Sequence, residues 1–209
     1  MIKITAFADT HGNHNKVKFD EKHLSSDLLV FGGDFSATTE DNRDDVRRFL
    51  SWLSMQPQKH KILIGGNWDF FADRKQKEFK SIIPKNIIYL NNESVTIKGY
   101  KIFGSPNTNL TTWAFGKYER VLSEHCYSKI PNDTDILITH TPPYEILDTN
   151  RYGQNCGSTS LREKLKELNN IKINIFGHTH SSSGVIKKDN IIFANVSVYN
   201  GEEPQYFEI

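Results

Sequence analysis

The sequence predicts an α/β domain, on two observations. Short runs rich in Ile, Val and Leu alternate with longer polar or amphipathic stretches up to about residue 175, and β-rich sequence follows. Five of the runs have an Asp, Asn or His just after them, and in α/β sheets the carboxyl ends of strands are where ligands bind. The 209 residues read as one domain, residues 1–209, which at this length buries roughly 70% of the surface of an unfolded chain.

Buried strands are expected at Ile2–Ala8, Asp27–Phe31, Lys61–Ile64, Asp135–Thr139 and Lys172–Phe176, because each run is short and rich in Ile, Val and Leu. Further strands are expected at Ile87–Leu90, Ser94–Ile97, Lys101–Phe103, Gly184–Lys187, Ile191–Val196 and Tyr206–Ile209. A helix over Glu40–Met55 follows from Val46, Phe49, Leu50 and Leu53 on one face, with Thr39 as the cap and Glu40 and Asp41 at the positive end. A second helix is expected over Leu161–Leu168, opened by a Ser160/Glu163 capping box, and a third over Trp113–His125.

Composition narrows the function. A content of 37% hydrophobic and 24% charged residues is that of an ordinary globular protein, and a net charge of +1 with scattered lysines offers no basic run for long nucleic acid or a membrane surface. No run approaches the ~20 apolar residues of a membrane span. Met1–Asp9 is too short and ends in a charge, so it does not read as a signal peptide, and Cys126 and Cys156 form no disulfide framework. A cytoplasmic location with two reduced thiols is expected.

The chemistry lies in Asp9-Thr10-His11, Gly33-Asp34, Gly65-Gly66-Asn67-Trp68-Asp69, His140, and Gly177-His178-Thr179-His180. Singly these are turn or loop sequences. Together they supply three short oxygen side chains and four imidazoles, enough for two divalent ions. Oxygen and imidazole ligands without thiolate suit Mn, Fe, Zn or Co. His178 and His180 alternate along the chain, so joint ligation needs a turn, for which Gly177 is the candidate.

The ordered set resembles the calcineurin-like metallophosphoesterase superfamily, whose pattern is Asp-x-His, Gly-Asp, Gly-Asn-His-Asp/Glu, His, Gly-His-x-His. Thr139-His140-Thr141-Pro142-Pro143, Gly157, Phe176-Gly177-His178-Thr179-His180 and Asn195-Val196-Ser197 resemble its small MPPED-like branch. The resemblance implies a four-layer α/β/β/α sandwich of two mixed β-sheets flanked by helices. It implies that Asp9, His11 and His180 hold one metal, that Asn67, His140 and His178 hold a second, and that Asp34 bridges them. Hydrolysis of a small, nucleotide-derived phosphodiester follows, with water activated between the ions as nucleophile and manganese the ion of choice in vitro. A phosphomonoesterase with the same site, or a metal-binding scaffold, are the alternatives.

The chain departs from that pattern at Trp68, where the superfamily has a His thought to assist the leaving group. Indole donates one hydrogen bond and gives up no proton at neutral pH. Trp68 is therefore a phosphate donor, a stacking surface or a packing residue, and good leaving groups are expected to be favoured. His14 is the candidate replacement donor, Arg151 a candidate phosphate clamp, and Asp69 the residue expected to structure the loop. The expected partner is a small phosphoester, and oligomeric state leaves no readable pattern.

Overall fold

A computed structural model describes residues 1–209. All eleven expected strands form, within two residues of the expected bounds. They are β1 (Lys3–Phe7), β2 (Leu28–Phe31), β3 (His60–Leu63), β4 (Ile88–Tyr89), β5 (Glu93–Ile97), β6 (Tyr100–Ser105), β7 (Ile136–Thr139), β8 (Ile173–Phe176), β9 (Gly184–Lys188), β10 (Ile191–Asn195) and β11 (Gln205–Glu208). One sheet runs β11-β1-β2-β3-β4, parallel except for β11. The other runs β5-β6-β7-β8-β10-β9, parallel inside with antiparallel edges.

Side chains alternate between strand faces, and this sorts the apolar residues into layers. Ile4, Ala6, Leu28, Val30 and Ile62 of the first sheet meet Ile102, Ile136, Ile138, Ile173 and Ile175 of the second in one central core. The intervening Phe7, Leu29, Phe31 and Leu63 face the other way. They pack on helices α2 to α4, which span Arg43–Ser54, Phe70–Arg74 and Gln76–Ile82 and follow the single turn α1 (Glu21–Leu24); Phe49, Leu50 and Leu53 of α2 are in that layer. On the far side, Phe103, Leu137 and Phe176 meet Leu161 and Leu165 of α6 (Thr159–Glu167), the helix that follows the single turn α5 (Glu119–Val121). The result is two mixed sheets face to face with helices outside each.

The helix ends differ from expectation. α2 begins at Arg43, and its cap is Asn42, whose side chain accepts the Asp45 N–H at 3.1 Å; Asp45 in turn accepts the Ala37 N–H at 2.8 Å and keeps Thr39, Glu40 and Asp41 in the loop. α6 is capped by Ser158, which accepts the Leu161 N–H at 3.2 Å. Ser160 lies inside its first turn and bonds Glu119, a residue from a distant segment. The Trp113–His125 helix is reduced to α5 followed by a wider turn over Leu122–Cys126 and a tight one over Tyr127–Lys129. Trp113 is in a loop closed by pairing of Thr108 with Gly116, with Phe115 at φ 56°. No helix is long and apolar enough to cross a membrane.

Candidate metal centre

The parallel strands bring five loops to one rim. Asp9, Asp34 and Asn67 follow β1, β2 and β3, while His140 and His178 follow β7 and β8 of the facing sheet. The backbone at these positions is unusual. Asp9, His11, Asp34 and His178 have φ of 60°, 42°, 60° and 70°, in the left-handed region that non-glycine residues seldom occupy. Asp and His are among the side chains that tolerate it best, and such conformations gather at functional sites. The turn that brings His178 and His180 to one place is thus made by His178 itself. Gly177 is needed for another reason: a Cβ there would lie 2.6 Å from Asp9 Oδ2.

The ligating atoms of Asp9, His11, Asp34 and His180 lie within 4.8 Å of one another. His11 Nε2 and His180 Nε2 face each other at 3.2 Å. A second group adjoins the first, with Asn67 Oδ1 2.8 Å from His140 Nε2 and 2.7 Å from His178 Nδ1. Asp34 stands between the two, its Oδ2 3.6 Å from His11 Nε2 and 3.5 Å from His140 Nε2. All seven sequence candidates are therefore brought together.

The polar bookkeeping of the site fits a cation. His140 Nδ1 is 2.9 Å from the Gly32 carbonyl, to which it donates, so the Nε2 lone pair points at two more acceptors, Asn67 Oδ1 and Asp34 Oδ2. Asp9 Oδ1 is buried without a hydrogen-bond partner, while Oδ2 accepts the His178 N–H at 2.9 Å. Converging lone pairs of this kind are satisfied by a metal, or by a proton.

The titration behaviour follows from the same geometry. Burial pushes His178 down to about 3 and His180 to about 4, with their imidazole neighbours adding to it, and burial also lowers His11. All three are neutral imidazoles, the form that ligates metals. Burial disfavours charge on His140 too, but Asp34 outweighs it and lifts His140 to about 9. Burial would raise Asp34; His140 and His11 instead hold it well below the usual carboxylate range. Asp9 is pushed up to about 7, by burial first and also by the Asp34 charge.

Asp69 builds the floor. Its carboxylate accepts four backbone N–H groups, from Asp34 (2.9 Å), Phe35 (3.1 Å), Ser36 (3.0 Å) and Gly66 (2.7 Å). It ties the loop after β2 to the loop after β3, as a residue that structures the loop should. The backbone N–H of Trp68 donates to Asp34 Oδ1 at 2.7 Å and leaves Oδ2 to face the histidines.

Trp68 stands beside the cluster, its ring edge-on to His11 at 4.7 Å and stacked on Trp113 at 6.0 Å. Arg151 lines the same cleft as His178 and His180. His14 is not brought to the cluster. Its buried ring packs on Phe49 and Trp52 of α2, at 5.5 and 5.2 Å, with Asp45 and Arg48 as its charged neighbours. Three residues after His11 the chain has already turned beneath α2, so the expected donor role for His14 has no geometric support. Tyr199 escaped sequence reading altogether. Its ring is stacked on His180 at 4.0 Å and edge-on to His11 at 5.2 Å. A tyrosine in a Val198-Tyr199-Asn200 loop carries no signal of that.

Comparison with known proteins agrees with this arrangement. The chain is 30% identical over 214 residues to a UPF0046 protein of Caenorhabditis elegans, covering 95% of this chain and 70% of that protein. It is 28% identical to metallophosphoesterase domain-containing protein 1 of Homo sapiens, covering 94% of this chain and 66% of the relative. The chain thus spans about two thirds of the length of such relatives. A dimetal phosphatase from Danio rerio superposes with a TM-score of 0.61 at 11% identity, over 93% of this chain and 86% of that one, a likeness of fold. The model of the calcineurin-like phosphoesterase family matches residues 2–182. On that match, and with its candidate ligand residues gathered at one rim, the chain belongs to the calcineurin-like phosphoesterase family.

Proposed function

We propose that this chain hydrolyses small phosphodiesters at a centre of two divalent ions. The observation that carries the reading is Asp34, whose Oδ2 lies nearly equidistant from His11 Nε2 and His140 Nε2. Asp9, His11 and His180 would hold one ion, Asn67, His140 and His178 the other, and Asp34 both. The donor set suits Mn, Fe, Zn or Co, with Mn the practical choice in vitro. When bound, two such ions supply positive charge for the phosphate oxygens and acidify water for attack on phosphorus.

The chain's own groups orient this chemistry. Gly32 fixes the His140 ring, and the Asp69 clamp holds Asp34 and Gly66 in register. Arg151 lines the cleft beside His178 and His180, where a guanidinium can pair with a phosphate in two-point geometry. Trp68 takes the place of a general acid and supplies no proton, and His14 is turned away, so the leaving group departs unassisted by either. Diesters with good leaving groups are the substrates this favours. A phosphomonoesterase is the second reading, favoured by the fold shared with a dimetal phosphatase.

A paired assay with Mn²⁺ tests this. Bis-p-nitrophenyl phosphate is the diester and p-nitrophenyl phosphate the monoester, with Asp34→Asn as control. The expected result is a preference for the diester, lost in the variant. A monoester preference moves the assignment to phosphatase. Two bound ions with no turnover of either substrate moves it to a scaffold. Trp68→His is expected to speed diesters with poor leaving groups most, and an unmoved rate removes Trp68 from the leaving-group side.

A further inference from the structure

The loop of residues 106–117, between β6 and α5, brings an aromatic face to the centre. Pairing of Thr108 with Gly116 closes it. Its side-chain amides are engaged in holding it. Asn107 donates to the Phe115 carbonyl at 3.2 Å, and Asn109 to the Cys156 and Gly157 carbonyls, both at 3.3 Å. Phe115 is buried against Gly65, where a Cβ would lie 2.6 Å from its ring. The Ala114 N–H donates to the carbonyl of Asn67 at 3.2 Å. Trp113 comes just before these anchors, so its place is tied to that of a candidate metal ligand.

The loop leaves two large apolar side chains outward, Leu110 and Trp113, each 37% exposed. They are the ends of one turn, in which the backbone N–H of Trp113 donates to the Leu110 carbonyl at 3.0 Å. The Trp113 ring stacks on Trp68 at 6.0 Å with 28° between the planes, and Phe70 backs it at 6.2 Å. Trp68 is half-buried and edge-on to His11. The cation behind this shelf, Arg74, is taken up by the Phe70 ring at 4.3 Å and by Asp41 at 3.8 Å.

Single exposed apolar residues are ordinary, but a continuous apolar face beside polar groups marks a binding surface. A phosphodiester brings two organic groups to one phosphorus. The cleft lined by Arg151 has neither Trp68 nor Trp113 among its walls, so the two indoles border a different side of the centre. Stacked indoles with no free charge beside them suit a flat apolar group. A small polar alcohol gains nothing from them.

We propose that Trp113, with Trp68, is a specificity shelf that takes the leaving group of the diester and selects for aryl alcohols. The proposal rests on the phosphodiesterase reading above. It adds a preference of shape and polarity that is separate from the acidity of the leaving group. In the step it serves, the oxygen of water bonds to phosphorus as the P–O bond to the aryl group breaks. The aryl oxide leaves with that electron pair and is protonated through solvent by a proton of the water.

Two diesters whose leaving alcohols are close in acidity test it, methyl phenyl phosphate and methyl hexafluoroisopropyl phosphate, followed by phosphorus NMR with Mn²⁺-loaded protein. The KM for the phenyl diester is expected to be about fivefold lower or more, the order that one aromatic contact supplies. Trp113→Ala should bring the two KM values to within about twofold of each other with kcat little changed, and Trp113→Phe should keep them apart. Equal KM values in the unmodified protein overturn the shelf. So does a Trp113→Ala effect that is the same on both diesters and comes with weaker Mn²⁺ binding, which would make Trp113 a support for Asn67. If neither diester turns over, the phosphodiesterase reading fails. Calorimetry then still decides the shelf: diphenyl phosphate must bind the Mn²⁺-loaded protein more tightly than dimethyl phosphate, with the difference reduced in Trp113→Ala. Equal binding of the two, or a difference that Trp113→Ala leaves intact, rejects it.

Discussion

Asp69 accepts the backbone N–H of Asp34 at 2.9 Å, so a carboxylate that ligates nothing itself holds in place the carboxylate that faces both histidine groups. The same side chain takes the N–H groups of Phe35, Ser36 and Gly66. Asp69→Ala leaves four buried donors without an acceptor. At about 1–3 kcal/mol for each unsatisfied group, partly relieved by water entering the space, a loss of about 3 kcal/mol or more is expected. Urea denaturation of the metal-free protein measures it. A loss below about 1 kcal/mol would mean that these loops hold their shape without the clamp.

Gly66 packs where no side chain fits. A Cβ there would lie 2.4 Å from Asp34 Oδ1 and 2.6 Å from both Asp34 N and His140 Cε1. Gly66→Ala must therefore displace Asp34, His140 or both. At least a tenfold loss of Mn²⁺ affinity is expected, with little change in the circular dichroism spectrum. Titration calorimetry reads it, and an affinity equal to that of the parent protein would refute the packing argument.

Metal binding should strengthen as pH rises. In the metal-free protein Asp9 holds its proton up to about 7, chiefly through burial, and His140 holds one up to about 9, where Asp34 overrides the effect of burial. Both must be deprotonated to ligate, so a cation has to displace those protons. Between pH 7 and 9 one proton is released and affinity rises about tenfold per unit. Below pH 7 two are released and the slope approaches about a hundredfold per unit. His178 and His180 lie at about 3 and 4 and add nothing in this range. Calorimetry in buffers of different ionisation enthalpy counts the protons, and a count of zero at pH 8 would contradict the scheme.

Glu119 is the anchor of α6. Its carboxylate accepts the N–H groups of Thr159 and Ser160 at 3.3 and 3.1 Å and the Ser158 hydroxyl at 2.8 Å, at the positive end of the helix. Glu119→Ala is expected to cost about 1–2 kcal/mol, a fall in Tm of roughly 2–8 °C for a chain of this size. Mn²⁺ affinity should change less than about threefold, because Glu119 meets the loop that carries His140 only at its far end, Ser158, and touches no candidate ligand. Thermal unfolding with a parallel metal titration separates the two effects.

Much of this protein was written locally. Runs such as Leu28–Phe31 and Ile136–Thr139 are apolar on both faces because both faces of their sheets are covered, which makes them legible as strands without knowledge of what covers them. The candidate ligand residues were legible for the same reason: each follows such a run, and parallel strands deliver their ends to one rim. What failed depended on distant partners. The ends of α2 and α6 were decided by Asp45 holding Ala37 and by Glu119 reaching Ser160. His14 was drawn under α2 by Phe49 and Trp52, although its spacing from His11 pointed to the centre. The stacking of Tyr199 on His180, the Asp69 clamp and the position of Asp34 between His11 and His140 all join separate segments of the chain, as does the meeting of His11 with His180 across 169 positions. Strand patterning and ligand chemistry are properties of a few neighbouring residues, and the sequence by itself determined them. Which side chains meet across the rim is set by how two sheets pack, and only the tertiary structure decided that.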